Sequence, residues 1–216
     1  MKILPATPRN RAVSLPELVA ILAVVVLLFV IFILPSGILK NKAPRIYCVN
    51  NLKQVASAFR VWGADHGGQY PMGVYTNAMG GQAFADSSNS FRYFQVMSNE
   101  LSEPKIAWCP EDGKRRAAVN FTSDFSNHRL SYFVGLQAAE SNPNMFLAGD
   151  RNITNGLPVK NGLLLLDTNR VAGWTRQIHH GAGNIAFTDG SVQQLTSSGL
   201  NTAMLHSGIT NWLVFP

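Results

Sequence analysis

The sequence predicts an α+β fold, in which a long N-terminal helix precedes a small antiparallel β-sheet head. The first supporting observation is an uncharged apolar run of seventeen residues at positions 18–34. The second is a set of short apolar runs in the C-terminal half, separated by turn residues in the manner of strands. At 216 residues the chain has room for this helix and one globular domain, so we expect no second catalytic domain.

The apolar run is suited to crossing a membrane. At about 1.5 Å per residue it rises roughly 25 Å, and a helix that starts at Val13 rises roughly 33 Å, enough to span a bilayer. That longer helix places the carboxylate of Glu17 at or inside the membrane boundary. A secretory signal peptide has a shorter apolar core and a small-x-small cleavage site, which residues 35–40 do not provide. Basic residues flank both ends of the run, so charge does not decide the orientation of the helix.

The charge of the chain gives no sign of a nucleic-acid partner. The formal net charge is +6, and Lys2, Arg9 and Arg11 account for three of these charges. Removal of the first twelve residues therefore leaves +3, a small excess without a basic stripe. The short basic run at residues 114–116 is typical of a solvated loop. We therefore predict no nucleic-acid binding.

Residues 11–18, Arg-Ala-Val-Ser-Leu-Pro-Glu-Leu, resemble the cleavage motif of type IV prepilins and type II secretion pseudopilins. In this family a basic leader ends in a small residue, and the cut is followed by a hydrophobic residue, Ser or Thr, Leu and, at the fifth position, Glu. The resemblance implies that prepilin peptidase cuts between Ala12 and Val13, and that Val13 becomes a methylated N-terminus. The chain departs from the family in having Ala12 in place of Gly and Val13 in place of Phe or Met.

Glu17 takes a specific role from this resemblance. In pilin-like filaments the equivalent carboxylate meets the free amino terminus of a neighbouring subunit, which neutralises two charges that are costly in an apolar filament core. The alternative is an interfacial glutamate that extends towards the lipid headgroups. Pro16 is compatible with both roles, because proline is tolerated in the first turn of a helix.

The chain divides into four predicted segments: a basic leader (1–12), a transmembrane and assembly helix (13–34), a kinked amphipathic continuation (35–66) and a β-rich head (67–216). Pro35 and Pro44 should each bend or break the helix. After Pro44, apolar positions recur at three- and four-residue steps, which predicts a helix docked on the head and ended by Gly67 and Gly68. These apolar positions are Ile46, Val49, Leu52, Ala56, Phe59 and Gly63.

Five strands are predicted in the head, at residues 130–136, 145–148, 162–166, 184–188 and 191–195. The segment 73–90 lacks periodicity and is predicted to be a loop. Asp189 and Gly190 lie between the last two strands and suit a two-residue type I′ turn, which would place Phe187 and Val192 on the same side of the sheet.

Cys48 and Cys109 are the only cysteines of the chain. An even number in an oxidising compartment favours a disulfide, which would tie the amphipathic helix to the loop around Trp108. The alternative is a pair of buried free thiols. No histidine lies close to either cysteine in the sequence, so no metal site is predicted from them.

Nine residues separate His179 from Asp189 and Gly190, and with their neighbours these residues resemble the C-terminal motif of a prepilin-associated family. The pairing of this motif with the N-terminal one is more specific than either alone. A general base needs a substrate within hydrogen-bond reach, and the sequence offers no nucleophile setting such as G-x-S-x-G. We therefore predict that His179 is structural and bonds the loop before the hairpin, and that Asp189 and Gly190 form the turn.

No cofactor is predicted, and calcium is the alternative considered. Pseudopilins of the major type hold calcium in their C-terminal loops, and Asp150, Asp167 and Asp189 lie near turns rich in Gly and Asn. No EF-hand spacing is present, so we predict that these residues are ordinary turn aspartates.

The resemblance implies a structural subunit, not an enzyme, of a type IV pilus-like or type II secretion filament. Its implied partners are prepilin peptidase, other pilin-like subunits and the bacterial inner membrane, with the head in the periplasm or outside the cell. The alternative is a single-pass anchored enzyme or binding module, whose head acts alone through His179 and nearby aspartates.

Overall fold

The computed structural model of the chain describes residues 13–33, 43–74, 89–208 and 210–216. Two compact units are present, one ending at Lys42 and a head that starts at Ala43. The architecture is α+β, as predicted, with an apolar N-terminal helix and a small antiparallel sheet. The predicted leader, the bend at Pro35 and most of the loop at 73–90 lie outside the described residues.

The first helix, α1, runs over Leu15–Ile33 and is apolar on all sides. The side chain of Glu17 reaches back to the start of the helix, where the backbone N–H and the hydroxyl of Ser14 both donate to its Oε2 at 2.9 Å. This is one half of a capping box. The window Leu15–Phe32 has a mean hydropathy of 3.0, and none of it is buried within the chain. By length and composition α1 fits a membrane anchor or a signal sequence.

The second helix, α2, spans Ala43–Asp65 and has Pro44 in its first turn, where proline is tolerated. The predicted amphipathic helix is confirmed, and α2 belongs to the head unit. Its buried stripe includes Cys48, Leu52, Val55, Ala56, Ala58, Phe59 and Trp62, each at most 5% exposed. The prediction for Ile46 is wrong: it is 59% exposed, because it lies roughly 200° around the helix from Cys48. Beyond the helix, Gly67 and Gly68 both have positive φ and end α2 as predicted.

In the described part of the head, eight strands are present: β1 (Tyr132–Gly135), β2 (Phe146–Asp150), β3 (Ile153–Thr154), β4 (Leu163–Leu166), β5 (Gly173–Trp174), β6 (Gly183–Phe187), β7 (Val192–Leu195) and β8 (Asn211–Val214). Six of them form an antiparallel sheet in the order β4-β8-β1-β2-β6-β7, and β3 pairs with β5 in a separate ribbon. The other helices in the described residues are α3 (Ser90–Gln95), α4 (Ser98–Leu101) and α5 (Ser197–Ser207), with 3-10 helices at Pro104–Ala107 and Asn127–Arg129.

Two apolar cores lie on the two faces of the six-stranded sheet. Successive residues of β1 alternate between them, because side chains along a strand point to opposite faces. Tyr132 and Val134 belong to the core that includes α2, and Phe133 belongs to the core that includes α5. Trp174 of the β3–β5 ribbon lies in the second core. The sheet is therefore covered by α2 on one face and by α5 and the ribbon on the other.

The hairpin between β6 and β7 differs from the prediction. Only Gly190 of the two expected turn residues has a positive φ, +87°, whereas a type I′ turn needs two. The amide of Gly190 donates to the carbonyl of Phe187, and the amide of Phe187 donates to the carbonyl of Ser191. This is the pattern of a three-residue loop with glycine in the left-handed position. The extra residue shifts the register, so Val192 pairs with Ala186, and Phe187 faces the other core.

Candidate functional site: a buried histidine beside the disulfide

His179 lies in the loop between β5 and β6, in a backbone conformation that residues other than glycine rarely adopt. Its φ is +53°, and the values for His180 and Gly181 are +54° and +89°. In this conformation the side chain of His179 is fully buried in the head, whereas His180 is exposed. Strain of this kind persists only where surrounding contacts hold the backbone in place.

Two side chains from other elements hold the backbone of this loop. Asn152, just after β2, donates from Nδ2 to three loop carbonyls at 2.9 to 3.0 Å, those of Thr175, Ile178 and Ala182. Arg45 of α2 donates from Nη2 to the carbonyl of His179 at 3.2 Å. The loop is therefore fixed before, at and after His179.

The imidazole of His179 meets different partners on its two nitrogens. Nε2 lies 3.0 Å from Nδ2 of Asn184, 3.3 Å from Oδ2 of Asp150 and 3.4 Å from Sγ of Cys109. Nδ1 lies 3.1 Å from Oε2 of Glu111, an electrostatic contact outside the geometry of a hydrogen bond. An amide N–H can only donate, so the contact with Asn184 makes Nε2 the acceptor and places the proton of the neutral ring on Nδ1.

The charges around the ring favour its protonation. Burial opposes protonation, but the hydrogen bond and charge of Asp150, together with the charge of Glu111, raise the pKa of His179 above its ordinary value of 6.5, while Arg45 lowers it. Asp150 is itself fully buried, and its Oδ2 accepts the backbone and side-chain N–H groups of Asn184 at 2.7 and 2.8 Å. The ring therefore lies between the carboxylates of Asp150 and Glu111, both of which stabilise its protonated form.

The predicted disulfide is present in the structure. Cys48 of α2 and Cys109, which follows the 3-10 helix Pro104–Ala107, are bonded with a Cα–Cα distance of 5.0 Å, and both are fully buried. The alternative, two free thiols, is not observed. Beside the bond, Asn51 of α2 donates from Nδ2 to the carbonyl of Trp108 at 2.8 Å. The loop that carries Cys109 is therefore attached to α2 by a covalent bond and a hydrogen bond.

The same loop is also attached to the end of β2. Arg151 donates from Nε and Nη2 to the two carboxylate oxygens of Asp112, each at 2.6 Å. The side chains of this pair are 11% and 0% exposed, respectively. Bidentate pairing fixes the relative orientation of two groups as well as their distance. It therefore holds Glu111, the preceding residue, in the position from which it faces His179.

The cluster has polar groups that a catalytic site could use, but it lacks access. A general base must come within hydrogen-bond reach of a substrate proton. The side chains of His179 and Asp150 have no exposed surface. The sulfur of Cys109, which lies 3.4 Å from the ring, is bonded to Cys48 and so is not a free nucleophile. The geometry therefore favours a structural role for His179.

Asp189 and Gly190 do not meet His179. They lie in the turn after β6, whereas His179 contacts Asn184 near the start of that strand, a separation of roughly 16 Å at about 3.3 Å per residue. Oδ1 of Asp189 accepts the amide of Ser191 at 2.8 Å, and the carbonyl of Asp189 accepts a hydrogen bond from Arg60 of α2. The histidine and the turn thus support opposite ends of the same strand.

The three aspartates considered for calcium are not brought together. Asp150 lies beside the start of β6 and Asp189 beyond its end. Asp167 follows the edge strand β4, which is four strands from β6, or roughly 19 Å at about 4.8 Å per strand. Asp167 and Asp189 each accept the amide two residues ahead, as turn aspartates do.

The processing site is described only in part. Ala12 lies outside the described residues, and Val13 is 64% exposed, directly before the capped start of α1.

The chain matches no protein-family model, no curated protein and no solved structure. Its function is therefore inferred from its residues and their geometry.

Proposed function

We propose that this chain is a pilin-like structural subunit. Prepilin peptidase in the bacterial inner membrane cuts it between Ala12 and Val13. Helix α1 then holds the subunit in a type IV pilus-like or type II secretion filament, with the head in the periplasm or outside the cell. The role of the chain is assembly rather than catalysis.

The observation that carries the proposal is the exposure of α1. Every side chain described at positions 13–32 is exposed, and the large apolar ones retain between 43% and 79% of their accessible surface. A helix that is hydrophobic all round is stable only when lipid or other protein surrounds it. A filament subunit meets this requirement twice, with lipid before assembly and with neighbouring helices after it.

Glu17 favours assembly over a plain membrane anchor. It is the only ionisable side chain of α1, and it lies four positions after Val13, the residue that would carry the new amino terminus. A carboxylate at this depth is costly unless it is paired. Its described contacts are with Ser14, which cap the helix without neutralising the charge. The amino terminus of a neighbouring subunit would supply the missing positive charge.

The head is consistent with an extracytoplasmic location. Its disulfide is fully buried and joins α2 to a loop on the same face of the sheet. Disulfides of this kind persist in oxidising compartments such as the periplasm. The bond therefore supports the proposed location of the head.

Glu17→Gln separates the two roles of this residue. Glutamine can cap α1 as glutamate does, but it carries no charge. We expect Glu17→Gln to be cut and inserted into the membrane like the wild-type chain, and to appear in the sheared filament fraction at least about tenfold less, because an amino terminus in the filament core would lose its partner. Ser14→Ala, which weakens the cap and leaves the charge, is the matched control and should assemble.

Two outcomes would contradict the proposal. The first is wild-type assembly by Glu17→Gln, which would leave the carboxylate with a capping role only. The second is a wild-type chain that stays monomeric in the membrane with Met1 intact, the result expected of an anchored enzyme or binding module.

A further inference from the structure

Three candidate ligand atoms for a thiophilic metal ion meet inside the head. Sγ of Cys48, Sγ of Cys109 and a ring nitrogen of His179 lie within 4.8 Å of one another, and all three residues are buried. With Zn–S near 2.3 Å and Zn–N near 2.05 Å, ligand atoms around tetrahedral zinc lie about 3.4 to 3.8 Å apart. Nε2 of His179 already lies 3.4 Å from Sγ of Cys109. One edge of a tetrahedral site is therefore in place.

The carboxylate of Asp150 borders this group on the side of the histidine. Its Oδ2 lies 3.3 Å from Nε2 of His179, but Asp150 does not come within 4.8 Å of both sulfur atoms and the ring nitrogen as the three ligand atoms do of one another. Its Oδ1 is buried, and the described structure gives it no hydrogen-bond partner, an arrangement that is costly for a carboxylate. Cys48, Cys109 and His179 therefore provide two sulfur ligands and one nitrogen ligand, a set that suits zinc with a water in the fourth position, and Asp150 adds a buried carboxylate beside it.

The imidazole is already oriented for such a site. Asn184 donates to Nε2, so this nitrogen carries the lone pair, and Glu111 faces Nδ1 at 3.1 Å. A carboxylate that accepts a hydrogen bond from the far ring nitrogen is the usual support of a metal-bound histidine, and Glu111 lies at the distance of such a bond although not at its angle. A metal ion on Nε2 would replace one amide hydrogen of Asn184, which would keep its hydrogen bond to Asp150.

We propose that the reduced chain binds one zinc-class ion through Cys48, Cys109 and His179, so that the disulfide and the metal are alternative states of one buried site. A dithiol reductant gives two electrons and two protons to the S–S bond and becomes a disulfide itself, which leaves two thiols in the head. Metal binding then releases both thiol protons, because cysteine coordinates as the thiolate. On binding, the sulfur atoms separate to the roughly 3.8 Å edge of a tetrahedral site.

Cobalt(II), a spectroscopic substitute for zinc, tests the proposal on the full chain in detergent micelles. The chain is first unfolded in denaturant and reduced by a dithiol. The dithiol is then removed in the absence of oxygen, and the refolded chain is titrated with cobalt(II). We expect saturation at one cobalt per chain, with the intense visible bands of tetrahedral coordination and a near-ultraviolet thiolate-to-cobalt band, and displacement of cobalt by zinc. The disulfide-bonded chain should show none of these bands. Filament assembly plays no part in this measurement.

Matched variants show whether the site is the one proposed. His179→Gln should weaken cobalt binding at least about tenfold, whereas His180→Gln, at the exposed neighbour, should leave it unchanged. The circular dichroism of each disulfide-bonded variant checks its fold. In the reduced and refolded wild-type chain, zinc should slow the alkylation of both thiols. In the chain unfolded by urea, zinc should slow their alkylation much less.

Three outcomes overturn the proposal. One is equal binding by His179→Gln, which would mean that the two thiols chelate cobalt without the histidine. Another is saturation at more than one cobalt per chain or the absence of tetrahedral bands. The third is a reduced wild-type chain whose circular dichroism shows no folded head with or without the metal.

Discussion

Removal of the disulfide should destabilise the head by about 4 kcal/mol. Cys48 and Cys109 are 61 positions apart, so their bond closes a loop of roughly 62 residues. The chain-entropy relation gives about 14 cal/mol/K for such a loop, or roughly 4 kcal/mol at room temperature. The test variant is Cys48→Ala combined with Cys109→Ala. Both positions are fully buried, so the small cavities left by the two sulfur atoms add to the loss.

Urea unfolding of the full chain in detergent micelles, followed by tryptophan fluorescence, measures this loss. The variant should unfold at lower urea with a larger m value, because its unfolded chain is free to expand. The wild-type chain reduced in the presence of a chelator is a second measurement without any change of side chain. A loss below about 1 kcal/mol in both would refute the reasoning, since the bond would then not be what restricts the unfolded head.

Two further predictions concern backbone contact and charge in the head. Gly135→Ala should lower the free energy of unfolding in urea by at least about 3 kcal/mol, because an added Cβ overlaps the carbonyl oxygen of Phe146. The control Gly113→Ala, where an added Cβ meets open space, should lower it by less than about 1 kcal/mol. Equal losses in the two variants would contradict this. Because the pKa of His179 is raised, its stabilising charge is fully present below the ordinary value of 6.5 and is lost as pH rises through the folded pKa. The free energy of unfolding of the disulfide-bonded wild-type chain should therefore fall as pH rises from 6.5 through the folded pKa of His179, and that of His179→Gln should not fall in the same way. A variant with the same pH dependence as the wild-type chain would count against a stabilising charge on His179.

Much of the fold could be predicted from residue pattern. The apolar run at 18–34 is long and uncharged, and α1 follows it closely. All five predicted strands are present, with ends shifted by at most two residues. The short strands β3 and β5 were missed, because two residues carry no periodicity. The strand β8 was missed although it reads Asn-Trp-Leu-Val, an apolar run at the end of the chain.

Helix α5 was missed despite readable signals. Thr196 accepts the amide of Gly199 as an N-cap, and Gly208 has the left-handed φ of a C-terminal stop. The residues between them bury only Leu200, Met204 and Ser207, so their periodicity is weak.

The hairpin turn was mispredicted for a different reason. Asp-Gly fits both a two-residue and a three-residue loop, and only the pairing of β6 with β7 decides between them.

The polar partners of His179 could not be read from the sequence. They come from four separate places, with Arg45 in α2, Glu111 in the disulfide loop, Asp150 at the end of β2 and Asn184 in β6. The cysteine that touches the ring is 70 positions away from it. No local spacing connects residues at such distances. The pairing of β2 with β6 brings Asp150 to Asn184, and the packing of α2 and the disulfide loop on the sheet brings the others. The isolated cysteines therefore gave no metal prediction.

Mass spectrometry of the N-terminal peptide, from chain extracted from the membranes of the cells that make it, tests the proposed function most directly. We predict a peptide that begins at Val13 and carries one added methyl group on its amino nitrogen. A chain that keeps Met1, or one cut after the apolar helix so that the head begins beyond residue 34, would contradict a pilin-like subunit.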